Sequence, residues 1–430
     1  MDQVKVGLVG LGTIGSGVAR MLLDQGKAFG RKVGVELVLA KVAELDAAKI
    51  RKAKVPARLV AKDAREIIED PRIHVLIELI GGIHPAKEII LAALKKGKHV
   101  VTANKALLAA HGDMIFETAR KMDRCVSFEA SVGGGIPVIA ALRDGLAANR
   151  IQTIFGIVNG TTNYILTQMT HENETYDEAL AEAQKRGYAE ADPTADVSGA
   201  DSTHKLAILA RLGFGMRVDY RKIYREGIDH IFLEDVKDAL KLGYVLKLLA
   251  IGKREGDQLD LRVHPTLLPT AHPLASVNGV FNAIGITGDW VGPTMFYGRG
   301  AGREPTTSAV TSDLIDVALG RASITFRKLG CFSSDAKAAK LLDMAKVKSR
   351  YFLRINVVDK PGVLARIAGV LGRNHISIAS VVQPEWRLGR TVPLVMMTHT
   401  ALSGHVRRAM KQIDLLDVVK GKSRLIRVEG

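Results

Sequence analysis

An apolar run, a glycine-rich turn and a helical pattern follow one another at the start of the chain. Residues 4–9 have the length and branched side chains of a buried strand, and residues 10–15 read GLGTIG. Apolar side chains then recur at helical spacing over residues 16–23. A strand that passes through such a turn directly into a helix is typical of the first unit of a doubly wound parallel sheet. This stretch therefore predicts an α/β fold of the Rossmann type.

The residues of this turn also predict a ligand. Gly10 permits the tight turn, Gly12 lets a pyrophosphate approach the backbone, and Gly15 lets the helix pack closely on the strand. The helix then begins near Thr13 and Ile14, whose backbone N–H groups have no partner within the helix and face the phosphates. We therefore predict dinucleotide binding at these five positions.

The second predicted strand, residues 36–43, ends at Glu44. Its distance from the glycine turn is longer than usual, and we interpret residues 26–34 as an inserted loop. A carboxylate at this strand end would bind the ribose hydroxyls of the adenosine and repel a 2′-phosphate, which favours NAD. Basic side chains nearby would instead neutralise such a phosphate, so NAD and NADP both stay open. They are Lys41, Lys49, Arg51 and Lys52.

Strands alternate with helices through the rest of the first 150 residues. The runs 74–80, 99–102 and 125–128 are apolar, as expected for strands buried on both faces of a parallel sheet. Ligands of such sheets bind beyond the carboxyl ends of the strands. Thr102 lies at one of these ends and brings the amine of Lys105 near the cofactor.

A second glycine-rich stretch, EASVGGGIP, begins at Glu129. Its three consecutive glycines bring main-chain carbonyl oxygens together, and hard cations prefer oxygen ligands. The residues alone leave a cation site and a plain crossover loop both open.

Ionisable side chains are concentrated in residues 183–205, AQKRGYAEADPTADVSGADSTHK. Proline, glycine and small residues separate the acids, so the backbone turns repeatedly. A helical pattern begins near Gly199, which puts Asp201 and Lys205 four apart on one helix face. An acid and an amine held together would bind a zwitterionic substrate and supply a proton. The alternative is a solvated ion pair.

The second part of the chain contains further strands and two helix starts. Residues 152–158, 260–263 and 279–286 have strand patterns, and Thr161 or Thr162 is suited to the N-cap of the helix that follows the first of them. Residues 298–310 form a glycine turn before another helix.

From residue 351 the pattern changes to βαββαβ. Strands are predicted over residues 351–358, 376–382, 391–398 and 424–428. One helix opens at Asp359 and Pro361, with an N-cap and an early proline, and the other covers residues 404–413.

Composition and charge argue against some classes of binding partner. The net charge of +16 comes from scattered lysine and arginine pairs, with no basic tail, so we expect neither a nucleic-acid nor a membrane partner. No apolar run reaches the roughly 18 residues of a spanning helix, and no signal-peptide pattern is present at the N-terminus. Cys125 and Cys331 are too few for a disulfide framework. We expect a cytoplasmic protein.

Several of these motifs together resemble the homoserine dehydrogenase family. The segments TANK at residues 102–105 and NGTTNYIL at residues 159–166 are similar to it, and DKPGVLARIAGVL with NHISIASV resembles an ACT domain. The acid-rich segment matches the family signature at Ala183, Gly187, Tyr188, Ala189, Asp192, Pro193, Asp196, Val197, Gly199, Asp201 and Lys205.

The resemblance implies NAD(P)-linked interconversion of L-aspartate 4-semialdehyde and L-homoserine, on the route to threonine, methionine and isoleucine. Lys205 is our first choice for the proton donor, and Lys105 would help to orient the substrate, although the sequence leaves the proton donor open between them. The acids Glu190, Asp196 and Asp201 would bind the substrate and its water.

The resemblance also implies a sodium ion and a closing segment. The ion would bind Glu129, Val132, Gly134 and Ile136, mostly through main-chain oxygens. Gly302 would lie near the nicotinamide end of the cofactor. Homodimers or homotetramers are implied as well.

These expectations give four ranges. We predict an NAD(P)-binding Rossmann domain over residues 1–150 and an α+β catalytic and dimerisation domain over 151–320, whose last helix, about 303–320, returns to the nucleotide domain. A linker over 321–350 and a βαββαβ ACT domain over 351–430 follow. An amino-acid effector, threonine first, would bind residues 359–374, whereas a structural dimerisation module is the competing interpretation.

Two other functions fit parts of the pattern. One is a dehydrogenase of another small amino acid, and the other is a non-catalytic amino-acid sensor that uses a dinucleotide. The ACT-like region and the glycine turn fit either function, but the acid-rich signature and TANK favour homoserine dehydrogenase over both.

Overall fold

The computed structural model describes residues 2–333, 335–383 and 391–430. Two compact units interleave along the chain. The first contains Met1–Val158, Asp201–Lys222 and Phe281–Ala339, and the second contains Asn159–Ala200, Ile223–Val280 and Lys340–Gly430. The domain ranges expected from the sequence stay predictions.

The strands, in chain order, are β1 (Asp2–Val9), β2 (Val35–Ala43), β3 (Val60–Ala61), β4 (Val75–Glu78), β5 (His99–Thr102), β6 (Val126–Ser127), β7 (Ile151–Ile157), β8 (Tyr224–Arg225), β9 (Tyr244–Glu255), β10 (Gln258–Pro269), β11 (Phe281–Gly288), β12 (Gly292–Arg299), β13 (Lys340–Leu341), β14 (Lys348–Val358), β15 (Ile378–Val382), β16 (Thr391–Thr398), β17 (Ala401–Leu402) and β18 (Arg424–Val428).

The α-helices are α1 (Thr13–Val33), α2 (Ala47–Ala53), α3 (Ala64–Glu69), α4 (Ala86–Lys95), α5 (Lys105–Lys121), α6 (Val138–Ala140), α7 (Gly160–His171), α8 (Tyr176–Lys185), α9 (Thr194–Val197), α10 (Ala200–Phe214), α11 (Leu233–Lys241), α12 (Arg303–Ala318), α13 (Arg321–Lys328), α14 (Val363–Arg373) and α15 (Ser403–Asp414). No helix in the described ranges is both long enough and apolar enough to cross a membrane.

The first unit is built on a six-stranded parallel sheet. Its strand order is β3-β2-β1-β4-β5-β6, and every neighbouring pair is parallel. This is the order of a Rossmann sheet, in which the chain reverses direction across the sheet at β1 and β4. The predicted doubly wound α/β fold is confirmed. A separate antiparallel arrangement, β12-β11-β7, belongs to the same unit.

The loop predicted over residues 26–34 is wrong, because α1 continues to Val33. Gly26 and Gly30 are buried within this helix. A Cβ at Gly26 would clash with the carbonyl oxygen of Leu37 on β2, so the glycine lets helix and strand touch. Gly34, with φ of 84°, ends the helix in the left-handed conformation. The glycines that suggested a loop therefore serve close packing and a helix end.

The second unit contains the C-terminal βαββαβ segment, which confirms the predicted order of elements. Its strands form an antiparallel sheet in the order β18-β14-β16-β15, and α14 and α15 contribute buried residues such as Ile367, Leu371 and Val406 to its core. Strand β18 also pairs in parallel with β10 at Thr266 and Leu267. The C-terminal segment thus shares a continuous sheet with the β9–β10 hairpin.

Two predicted helix caps differ from the observed ones. Asn159, rather than Thr161 or Thr162, caps α7, and its side chain accepts the N–H of Thr162. The amide oxygen lies one residue ahead of the first helical residue, where a cap is required. Helix α14 begins after Gly362, with φ of 85°, instead of at Asp359.

Buried ion pairs fasten the C-terminal strand to β10. Arg262 on β10 is fully buried, and its guanidinium donates to Glu429 at 2.6 Å and to Asp260 at 3.0 Å. Lys253 donates to the other carboxylate oxygen of Glu429 at 2.7 Å. The folding of the C-terminal residues therefore satisfies charges that the hairpin buries.

We expect Glu429→Ala to lower the free energy of unfolding by roughly 3 kcal/mol, because a buried arginine loses one of its two carboxylates. Urea denaturation measures the change. Asp24→Ala is the control, since Arg20 and Asp24 form a pair whose side chains are 74% and 60% exposed, and removing it should cost less than about 1 kcal/mol. Equal losses in the two variants would contradict the assigned role of Glu429.

Candidate active site

Lys105, Asp201 and Lys205 come together in the first unit. The Nζ atom of Lys105 lies 2.8 Å from Oδ1 of Asp201, and Nζ of Lys205 lies 2.7 Å from Oδ2 of the same carboxylate. Lys205 also donates to the carbonyl oxygen of Val158 at 2.6 Å. One carboxylate is therefore held between two ammonium groups.

Two helix N-termini position this cluster. Helix α5 begins at Lys105 because the side chain of Asn104 caps it and accepts the N–H of Leu107 at 3.1 Å. Helix α10 begins after Gly199, whose φ of 78° turns the chain, and it carries Asp201 and Lys205 one turn apart. A side-chain cap before α5 and a glycine turn before α10 thus bring three charged side chains together.

Burial distinguishes the three side chains. The exposed fraction is 5% for Asp201, 10% for Lys205 and 43% for Lys105. Burial alone would raise the pKa of Asp201, but the positive charges of Lys205 and Lys105 outweigh it and hold this pKa well below its usual range. Asp201 therefore stays ionised at neutral pH and keeps both amines in place.

Hydrogen bonds at the ends of β4 and β5 hold the loop that precedes Lys105. Thr102 donates its hydroxyl hydrogen bond to the buried Glu78 at 2.7 Å and accepts the N–H of Asn104 at 3.0 Å. Glu78 also accepts the N–H groups of Ile80 and Gly81. The hydroxyl of Thr102 is therefore used to hold the two strand-end loops together.

The glycine turn between β1 and α1 has the geometry that a phosphate needs. A Cβ at Gly15 would clash with the carbonyl oxygen of Gly10, whereas a Cβ at Gly12 would meet nothing within 4 Å. No side chain caps α1, so the backbone N–H groups at Thr13 and Ile14 face this open space. These residues fit a dinucleotide pyrophosphate.

Glu44 supports this turn from the end of β2. Its carboxylate accepts the N–H groups of Leu11, Leu45 and Asp46 at 2.7, 2.9 and 3.1 Å. Partial burial raises the pKa of Glu44, but these N–H groups and the charge of Lys49 lower it overall. The carboxylate is therefore anionic and bonded to the glycine turn itself, a role that the sequence did not reveal.

A cleft of about 1100 Å³ opens in front of the turn. Gly12 and Thr13 line it, and so do Arg303 and Thr307 from the start of α12, directly after Gly302. Among the basic residues considered from the sequence, Lys49 and Lys52 line the cleft, whereas Lys41 lies 3.7 Å from carboxylate oxygens of Glu66 and Asp70. Arg20, Lys54 and Arg303 also line the cleft, although the sequence did not single them out. Arg303 is distant in the sequence and reaches the cleft only because α12 packs along α1.

Contact between α1 and α12 depends on Gly17. A Cβ there would clash with the hydroxyl of Thr307, and the hydroxyl of Thr311 lies 3.1 Å from the sulfur of Met21. The missing side chain at Gly17 lets α12 approach the phosphate-facing end of α1.

The EASVGGGIP loop is buried at Glu129, Val132, Gly134 and Ile136. The carboxylate of Glu129 accepts the N–H groups of Ile139 and Ala140 at 2.8 Å, so both of its oxygens already have hydrogen-bond donors. Its main-chain oxygen accepts a long hydrogen bond of 3.5 Å from Val132. Buried main-chain oxygens in a glycine loop fit a hard cation such as sodium.

Glu190 and Asp196 belong to the second unit. Glu190 is exposed, whereas Asp196 accepts hydrogen bonds from Asn159 at 2.7 Å and Thr161 at 3.0 Å. Asp196 thereby ties α9 to the start of α7, a structural contact that the family signature alone did not indicate.

Two glycine variants should separate ligand binding from folding. We expect Gly12→Ala to keep its thermal midpoint, because the new methyl group meets open space at a φ of −63°, and to weaken dinucleotide binding by about tenfold or more. Gly15→Ala should instead lower stability by about 1–3 kcal/mol through the clash with Gly10. Calorimetry measures both quantities, and normal dinucleotide binding by Gly12→Ala would contradict the site.

Comparisons with known proteins agree along the whole chain. Residues 10–129 match the NAD-binding domain of homoserine dehydrogenase, residues 137–315 match the homoserine dehydrogenase family model, and residues 351–413 match the ACT domain. A homoserine dehydrogenase of Neisseria gonorrhoeae is 42% identical over 100% of this chain and 99% of its own length.

Solved structures give the same result. The crystal structure of a homoserine dehydrogenase from Thiobacillus denitrificans superposes with a TM-score of 0.94 at 42% identity, over 100% of this chain and 99% of that one. A hyperthermophilic archaeal homoserine dehydrogenase in complex with NADPH superposes with a TM-score of 0.63 at 26% identity, over 76% of this chain and 99% of that one. The chain belongs to the homoserine dehydrogenase family of oxidoreductases.

Proposed function

We propose that the protein catalyses the NAD(P)-linked interconversion of L-aspartate 4-semialdehyde and L-homoserine. The observation that carries this proposal is the cluster in which Asp201 is held by Lys105 at 2.8 Å and by Lys205 at 2.7 Å. Two ammonium groups at the ends of two helices give a carbonyl oxygen both a hydrogen-bond donor and a proton source.

In this mechanism the bound nicotinamide supplies or accepts the hydride at C4 of the substrate. Lys205 gives a proton to the oxygen that becomes the hydroxyl of homoserine and removes that proton in the reverse direction. Lys105 is the more exposed amine and orients the same oxygen. Asp201 keeps the two positive charges side by side, and the roles expected for Glu190 and Asp196 in binding the substrate stay predictions.

The charged side chains at the cleft have opposite effects on the binding of NADP. Basic side chains such as Lys52 and Lys54 line it and suit a phosphate, while the anionic Glu44 at the end of β2 disfavours a 2′-phosphate. A relative of this chain was solved with NADPH. We propose that Glu44 shifts the preference toward NAD without excluding NADP.

The loop from Glu129 to Ile136 supports the proposal of a sodium ion. The ion would bind the main-chain oxygens of Glu129, Val132, Gly134 and Ile136 and fix the loop beside α6. It would contribute position and charge to the protein rather than a chemical step.

The reaction is tested with L-homoserine and each oxidised cofactor in turn, by following the absorbance of the reduced nicotinamide. We expect turnover that depends on homoserine with both cofactors. The same assay with tetramethylammonium in place of sodium tests the ion, and light scattering of the preparation tests the proposed homodimer or homotetramer. Preference for another small amino acid, or no turnover at all, would support one of the two alternative functions.

Lysine variants test the two roles. Lys205→Met should lower kcat by about 10²–10⁴, the usual contribution of general acid–base catalysis, whereas Lys105→Met should mainly raise KM. Lys121→Met is the control, because this side chain is 69% exposed in a surface pair with Glu117. A larger loss of kcat in Lys105→Met than in Lys205→Met would exchange the two assignments.

We also propose that an amino acid, threonine first, inhibits the enzyme from the C-terminal segment. Helix α14 begins after Gly362 without a side-chain cap, so its first backbone N–H groups suit a carboxylate. Asp359, just before it, accepts a hydrogen bond from Gln383 at 3.2 Å.

Hydrogen bonds within the second unit connect this segment to the residues that precede α10 in the chain. Arg427 on β18 donates to Glu226 at 2.7 Å, and beyond Glu226 the N–H of Ile228 donates to the carbonyl oxygen of Val197 at 2.9 Å. Gly227 lets these two segments touch, because a Cβ there would clash with the same oxygen. Val197 lies three residues before α10, which carries Asp201.

Threonine should therefore inhibit homoserine oxidation, with a coupling of about 1–3 kcal/mol, or about 5–150-fold in affinity. Hydrogen exchange should show protection of the amides of Leu364 and Ala365 when threonine is bound, because those of Val363 and Arg366 already donate to Lys360 and Gly362. Removal of residues 351–430 is unsuitable for this test, because it also removes Glu429, which pairs with the buried Arg262. Indifference of the enzyme to every aspartate-derived amino acid would leave only a structural role for the segment.

A further inference from the structure

A second cavity lies in the first unit between helices α5 and α10. It has a volume of about 560 Å³ and is completed by residues 217–221. None of Lys105, Asp201 or Lys205 lines it. We call it the α5–α10 groove.

The floor of the α5–α10 groove is apolar. Leu108 and Phe116 of α5 are 5% and 3% exposed, and Ile208 of α10 is 6% exposed. A concave site of this volume with an apolar floor is of the size that holds a small organic molecule. The groove therefore has the shape of a ligand site on the two helices that carry the catalytic cluster.

Arg217 supplies a charge to this groove. Its backbone is fixed by hydrogen bonds of 2.8 Å to Lys337 and Ala339, and its Nε donates to the carbonyl oxygen of Ala336 at 2.8 Å. In residues 2–333, 335–383 and 391–430, neither Nη atom of Arg217 has a hydrogen bond and no carboxylate pairs with it. A half-buried guanidinium without a counter-ion favours an anion.

The other two arginines of the groove are already paired. Arg211 forms an ion pair with Asp113 and lies over the ring of Phe116. Arg221 forms a pair with Asp219 at 2.9 Å. Arg217 is therefore the cation that a ligand would meet.

Two more polar groups face the same cavity. Tyr220 and His111 both line it, and within the described part of the chain neither side chain makes a hydrogen bond. The ring of Tyr220 is held by a contact with His204 at 4.8 Å between ring centroids. Arg217, Tyr220 and His111 thus line one cavity that has an apolar floor.

We infer that the α5–α10 groove binds a small organic monocarboxylate with an apolar body. The carboxylate pairs with the Nη atoms of Arg217 and accepts the hydroxyl of Tyr220, while the apolar body covers Leu108, Phe116 and Ile208. No residue assigned to the substrate or to the effector segment lines this groove. The inference of a carboxylate ligand therefore does not rest on the proposed function.

Calorimetric titration of the full chain with 4-methylpentanoate tests the site, and the neutral, nearly isosteric 4-methylpentanamide is the matched ligand. We expect saturable binding of the acid below about 10 mM and binding of the amide at least about tenfold weaker. Arg217→Gln should weaken binding of the acid by about tenfold or more. Arg221→Gln is the matched variant and should bind normally, because that guanidinium is already paired.

Ala110→Trp provides an independent variant, since this exposed residue lines the groove and a large side chain there should block the probe while the thermal midpoint is kept. Unchanged affinity in Arg217→Gln, equal binding of acid and amide, or no saturable binding would each overturn the proposal. A smaller particle mass for Ala110→Trp in light scattering would show that a second copy of the chain covers the groove, which would also overturn it.

Discussion

A carboxylate buried as deeply as that of Asp201 requires positive charges beside it. Taking an ion out of water is costly, and the cost is recovered only by close, well-oriented partners. Lys105 and Lys205 meet this need with one oxygen of Asp201 each. The same contact that stabilises Asp201 fixes the two amines side by side, which is the arrangement that the proposed chemistry requires.

Helices α5 and α10 both begin at this cluster, and local contacts fix the residue at which each one begins. Asn104 sets the first residue of α5, and Gly199 turns the chain before α10. Glu78 and Thr102 hold the loop that precedes α5. Because each of these contacts is short and buried, the position of Lys105 depends on a chain of hydrogen bonds that runs back to the ends of β4 and β5. The α5–α10 groove lies farther along the same two helices.

The C-terminal segment contributes to the structure as well as to the proposed regulation. Arg262, fully buried on β10, obtains a carboxylate from Glu429, and Glu226 obtains a guanidinium from Arg427. Burial raises the pKa of Glu226, but hydrogen bonding by His230 and the charge of Arg427 hold it well below its usual range.

The sequence by itself determined the class of the fold, the glycine turn and the identity of the residues that meet as Lys105, Asp201 and Lys205. Those features depend on local order: a strand followed by GLGTIG, an acid and an amine four residues apart on a helix, and a βαββαβ pattern of apolar periodicity. Only the tertiary structure decided that Gly26 and Gly30 lie inside a helix, that Asn159 caps α7, that Glu44 bonds the glycine turn, and that Arg303 joins Arg20 in one cleft. These outcomes depend on which distant backbone approaches a given residue. The sequence does not distinguish a glycine in a loop from a glycine at a tight helix–strand contact. It also does not distinguish a carboxylate that binds ligand hydroxyls from one that accepts the N–H groups of another segment.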